Sequence, residues 1–212
     1  MFGTHDLWVF VLSGLLLNVT PGPDTLYIVG RSSTQGWRAG AVASLGIGAG
    51  ALVHVGAAAL GLSAILAASA TAFAALKIAG AVYLVYVGVS LIRSKQSTWS
   101  RAVTAEHRPA ALRSIFFQGF LTNVLNPKVA LFFLAFLPQF VSAAAPSKQL
   151  AFVFLGIIFD INGTAWNLVV AWSTARLSPK LGASGAFKIW FSRCVGSLFV
   201  AAGIRLALVH DR

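Results

Sequence analysis

Thr20-Pro21-Gly22-Pro23-Asp24 interrupts an otherwise apolar run from Leu7 to Gly30, and the reading of that interruption decides the fold. About twenty apolar residues cross the hydrocarbon core of a bilayer as a helix, so the run is long enough to span. Two prolines and a glycine remove backbone donors and end a regular helix. The stretch therefore predicts a helix broken inside the membrane. The carbonyls of Leu17 and Val19 lose their helical partners there. Lipid supplies none, so the break must face protein, water or a bound ligand. Asp24 puts an ionisable group at the same point, and a carboxylate within a span marks a functional site unless it is paired or wet.

The composition agrees with a membrane environment. The 212 residues are 58% hydrophobic and 10% charged, with mean hydropathy +0.81. A soluble domain cannot hide that much apolar surface. No Lys or Arg precedes the first run, so it reads as a retained span and not as a cleavable signal. Cys194 is the sole cysteine, which excludes an internal disulfide. No His/Cys group has metal-site spacing, so neither metal nor cofactor is expected. The net charge of +11 would suggest nucleic acid in a soluble chain. Here the basic residues fall between apolar runs without interleaved aromatics, so topology accounts for them and nucleic-acid binding is not expected.

Six spans follow from hydropathy: about Leu7 to Gly30, Ala41 to Leu66, Phe73 to Ile92, Phe116 to Val141, Leu150 to Trp172 and Ile189 to Val209. The chain reads as one integral membrane domain, 1–212, with halves 1–92 and 115–212 joined by a cytoplasmic loop, 93–114. The first, third and fifth loops and adjoining span ends hold eleven of the sixteen basic residues, Arg31 and Arg38 among them. That bias puts both termini outside. A five-span count would invert one end.

A second break, Asn123-Val124-Leu125-Asn126-Pro127-Lys128, lies in the fourth span. Asn126 is expected to cap a half-helix starting at Pro127, as Thr20 would cap one starting at Pro21; such starts attract anions. Lys128 lies far from either interface, which argues against simple snorkelling. Gly46, Gly48, Gly50, Gly56 and Gly61 in the second span imply close helix packing. His54 among them reads as a proton relay or as an interhelical hydrogen-bond donor. Lys77, at the start of the third span, snorkels outward or has a direct role. Asp160, in the fifth span, is a proton-coupling candidate or half of an ion pair with Lys128 or Arg205. Asn162 and Asn167 accompany it.

The breaks define a faint repeat, because His54 and Asp160 each follow Pro21 and Pro127 by 33 residues. Lys77-x-x-Gly80 also matches Arg193-x-x-Gly196. Three spans per half make the repeats inverted across the membrane, with the site between the broken helices. The fold expected is thus an all-α membrane protein: six transmembrane helices as two inverted three-helix repeats, helices 1 and 4 broken at proline motifs. In that arrangement Asp24 and Lys128 approach each other across one cavity.

Three stretches carry a family likeness: Thr20-Pro21-Gly22-Pro23-Asp24, Lys77-x-x-Gly80-Ala81-x-Tyr83-Leu84, and Asn126-Pro127-Lys128 followed by Leu137-Pro138-Gln139-Phe140. The chain resembles the LysE/RhtB family of bacterial amino-acid exporters over nearly its whole length. The resemblance implies a multi-pass inner-membrane protein that exports basic or small neutral amino acids, driven by proton entry. Substrate-binding candidates are Thr20, Pro21, Gly22, Pro23, Asp24, Asn126, Pro127 and Lys128; proton-coupling candidates are Asp24, His54 and Asp160. The expected partners are the amino acid, a proton and the bilayer, with self-association open. An intramembrane enzyme would need a motif such as GxSxG or HExxH, and neither is present. A divalent-cation transporter would need more carboxylates than Asp24 and Asp160.

Overall fold

The computed structural model describes residues 2–20, 22–62, 110–142 and 144–177, together with single helical positions at 71, 78, 82, 85, 86, 89, 92, 93, 193, 197, 200, 201 and 204. The expected third and sixth spans, with Lys77, Tyr83, Cys194 and Arg205, thus lie almost wholly outside the described residues, as does Pro21. The described part is helical. α1 is Leu7–Val19, α2 is Pro23–Ala57, α3 is Leu112–Val124, α4 is Pro127–Leu131 and α5 is Lys148–Leu177. α2 runs on into a π-helical turn, Ala58–Leu62, and α4 into a π segment, Phe132–Phe136, and a 3-10 turn, Leu137–Phe140.

Among the described residues two helical stretches are long and apolar enough to cross a membrane, Pro23–Leu62, which bends at Gly36, and Lys148–Arg176; the pair Leu112–Val124 and Pro127–Phe140, bent by 45°, is a third if it forms one span. The surface they present is apolar, with Trp8, Leu60 and Leu125 each at least 70% exposed. Water would penalise such a surface and hydrocarbon does not.

α2 is not one straight rod. Gly36 has φ 79 and ψ −174, a conformation that side chains with a Cβ rarely adopt. The helix doubles back there. A Cβ on Gly40 would overlap Ser32, eight positions earlier, whereas in an unbroken helix those residues stand about 12 Å apart. Ile28 and Val29 from one arm pack with Ala39, Ala43 and Ile47 from the other, against Ile115, Val170 and Ala171. The expected loop between the first two spans is therefore reduced to a turn at one residue. Arg31, counted with that loop, is instead helical and 6% exposed. It donates to Gln35 Oε1 at 3.1 Å and to Gln118 Oε1 on α3 at 2.8 Å.

Small residues bring α2 and α3 together. A Cβ on Gly119 would stand 2.7 Å from Ala43 O, and one on Gly50 2.7 Å from Phe120 O, so the backbones touch. Gly48 faces α5 instead, beside Thr164 and Asp160. Gly56 and Gly61 have no described neighbour within 4 Å, so for them no packing role is seen among the described residues. A second core cluster, rich in phenylalanine, joins Phe10 and Leu17 of α1 to Phe132, Phe133, Phe136, Phe140, Phe152 and Phe159. The chain start is tied to the end of the α4 segment: Thr4 bridges Val141, and His5 N donates to Phe140 O at 3.1 Å.

Candidate functional site

α1 stops at Val19 and α2 starts at Pro23, while α3 stops at Val124 and α4 starts at Pro127. Both gaps open on one small cavity of about 30 Å³, enough for about two water molecules. Gly22, Asp24, Asn126, Lys128 and Asp160 all line it, so five of the candidates named from sequence meet at one place.

Lys128 sits in the first turn of α4, the electropositive end of its own helix, where a cation is disfavoured. Its side chain reaches the electronegative end of α1. There Nζ donates to Leu17 O at 2.7 Å and to Thr20 O at 2.8 Å. The carbonyls left over by the first break are thus satisfied by a cation from the second. The pair expected to be orphaned was Leu17 and Val19; the acceptors found are Leu17 and Thr20.

Asp24 stands in the first turn of α2, where helix N–H groups favour a negative charge. Its Oδ2 accepts from Asn123 Nδ2 at 2.8 Å, while Oδ1 is buried without a hydrogen-bond partner. The approach of Asp24 to Lys128 stops short of contact. Among the described residues the one ion pair within 4 Å is His5 with Asp6, at the surface. Asp160 likewise makes no such pair with Lys128; it accepts from Thr164 Oγ1, at a long 3.4 Å.

Thr20 does not cap the second half-helix. Its hydroxyl donates back to Leu16 O at 2.7 Å and closes the last turn of α1, and the N-cap of α2 is Gly22, with no side-chain bond. Asn126 does cap α4, accepting from Lys128 N at 3.0 Å. Pro23 and Pro127 occupy first-turn positions, where a missing N–H costs nothing. His54 lies outside the cavity wall. Its Nε2 donates to Asn123 O at 3.0 Å and its ring stacks on Phe133, so it touches the site only through Asn123.

The lining residues that were not among the candidates include the polar Asn18, Thr25, Asn123 and Thr164. Asn18 Nδ2 and Asn123 Oδ1 are buried without partners, an uncommon state for amide groups. An amide near the end of an apolar helix was the available signal for Asn18. For Asn123 it was a position three residues before the capping Asn126. Asn167, noted beside Asp160, also lines the cavity, and Asn162 does not. The remaining wall is apolar, from Ile47, Ala51, Val129 and Phe159.

Helix ends that meet at a polar cavity inside an apolar helical shell resemble the arrangement at the substrate sites of membrane transporters. The chain belongs to the LysE type translocator family, whose model matches residues 15–210. It is 29% identical over 210 residues to an uncharacterised membrane protein of Pseudomonas aeruginosa, covering 97% of this chain and 96% of that one. It is 25% identical over 210 residues to the leucine efflux protein of Salmonella typhimurium, covering 99% and 98%. An uncharacterised membrane protein of Bacillus subtilis is 28% identical over 210 residues, covering 96% and 99%. No solved structure matches the chain.

Proposed function

We infer that the protein exports an amino acid or close derivative across the bacterial inner membrane, and that the cavity between the two helix breaks is its binding site. The observation that carries this reading is the meeting of the α1 terminus, Asp24 and Lys128 around one cavity. A zwitterion needs a cationic and an anionic partner held apart. Lys128 and Asn18 Nδ2 suit its carboxylate; Asp24 Oδ1 and Asn123 Oδ1 suit its ammonium. Ile47, Ala51, Val129 and Phe159 suit a small aliphatic side chain. The leucine efflux relatives favour that choice over a basic one.

A cavity of about 30 Å³ is too small for an amino acid, so loading requires its walls to part. Inverted repeats that rock against each other, with six spans in all, would open it to each side in turn. Asp24 and Asp160 are the groups through which proton antiport would run, with His54 acting through Asn123.

The test is counterflow in liposomes loaded with leucine, threonine or lysine, with and without an inward proton gradient. Leucine exchange, stimulated by the gradient in wild type and unstimulated in Asp24→Asn or Asp160→Asn, is expected. Exchange of none of the three would refute the export reading. Full stimulation in both variants would remove the carboxylates from coupling.

A further inference from the structure

The cradle that holds the Lys128 ammonium is made of main-chain carbonyls, Leu17 O and Thr20 O, at the electronegative end of α1. Asp24, whose carboxylate stays more than 4 Å from Nζ, lines the cavity that Lys128 also borders. Oxygen-only ligands of this kind do not require an N–H donor. Ring and cage sites of carbonyls replace the hydration shell of alkali ions, and the loose carbonyls of broken transporter helices hold coupling cations. We propose that this cradle is a monovalent-cation site whose resident is the chain's own tethered ammonium, so that the protein has no need of an alkali ion there.

The alternative, a lysine merely snorkelling, fails on geometry. Snorkelling carries the ammonium toward water, whereas Nζ here ends on two carbonyls at a helix end inside the protein. Nor is it half of a direct ion pair, since no carboxylate of the described residues lies within 4 Å of it. What the position supplies is positive charge at the end of α1, delivered from α4. The stem is attached to the second half of the chain and the cradle to the first. Lys128 thus ties α4 to the end of α1. The inference adds to the transport reading what fills the site at rest. It is tested by stability alone, so a failed export assay and a failed salt response are separate results.

The experiment measures thermal unfolding of the full-length protein in detergent, in chloride salts of sodium, potassium, n-propylammonium and choline at equal ionic strength. Wild type is expected to melt at the same temperature in all four. Lys128→Ala lacks the atoms that n-propylammonium would restore. Its Tm should be lowest in choline and rise by about 3–6 °C in at least one small cation present at about ten times its Kd. Lys128→Met, whose side chain fills the path, should not respond. A specific alkali stabilisation of wild type, identical melting of Lys128→Ala in all four salts, or an equal response in Lys128→Met would each overturn the proposal. Failure to recover folded Lys128→Ala in every salt would do so too, because a free cation in an intact cradle should restore it.

Discussion

Asn123 is the residue whose removal most cleanly tests the geometry of the site. Its side chain is 3% exposed and gives Asp24 Oδ2 its one described hydrogen bond, at 2.8 Å. Truncation to alanine keeps the Cβ that packs over Gly50, and keeps the main-chain carbonyl that receives His54. The change therefore isolates the amide. A hydrogen bond to a charged group contributes about 1.5–3 kcal/mol. In a double-mutant cycle, Asn123→Ala and Asp24→Ala should show a coupling of that size, because either change alone removes the same bond. For a chain of this length each kcal/mol moves Tm by about 2–4 °C, so the pair should fall short of additivity by about 3–12 °C. Tryptophan fluorescence in detergent reads the transition, with six tryptophans available. A coupling below about 0.5 kcal/mol would mean that amide and carboxylate do not meet, and the reasoning about the anionic side of the cavity would fail.

Three further predictions follow from other parts of the molecule. Gly50→Ala puts a Cβ 2.7 Å from Phe120 O, so α2 and α3 must shift apart; a loss of about 1–3 kcal/mol is expected in the same melting assay, and an unchanged Tm would refute the close packing. Gln118→Leu removes the acceptor of both Arg31 Nη2 and Tyr27 Oη. With one charge-assisted hydrogen bond between α2 and α3 lost, it should destabilise by about 1.5–3 kcal/mol, whereas an equal or higher Tm would show that this end of α3 is not held by Arg31. In a Cys194→Ser background, single cysteines at Ser97 and Ser184 should resist an impermeant thiol reagent in intact cells while one at Ser147 reacts; labelling at Ser97 from outside would reverse the assignment of sides.

Much of the architecture was legible because its causes are local or compositional. Hydropathy needs no knowledge of contacts to place a chain in a membrane. The half-helix start at Pro127 and its Asn126 cap, which closes over only two residues, were legible, whereas the first break was read with a start at Pro21 and α2 starts at Pro23. What tertiary structure decided lies beyond that range. Gly36 lies in the polar run between the first two expected spans, so a connection there was legible, but its contraction to a turn at one residue goes with the packing of residues 28 and 29 against 39 and 43. That reversal withdraws Arg31 from the expected loop and delivers it to Gln118, 87 positions away. The Thr20 hydroxyl found a carbonyl one turn back, a choice open to any threonine at a helix end. Lys128 was readable as a buried charge in need of a partner, and Asp24 and Asp160 were the candidates named for it; the α1 carbonyls were not. The docking of α4 against α1, across 111 residues, gave it Leu17 and left Asp24 to Asn123. Burial by neighbouring helices, which no single segment encodes, is what turns scattered amides such as Asn18 and Asn123 into the lining of a site.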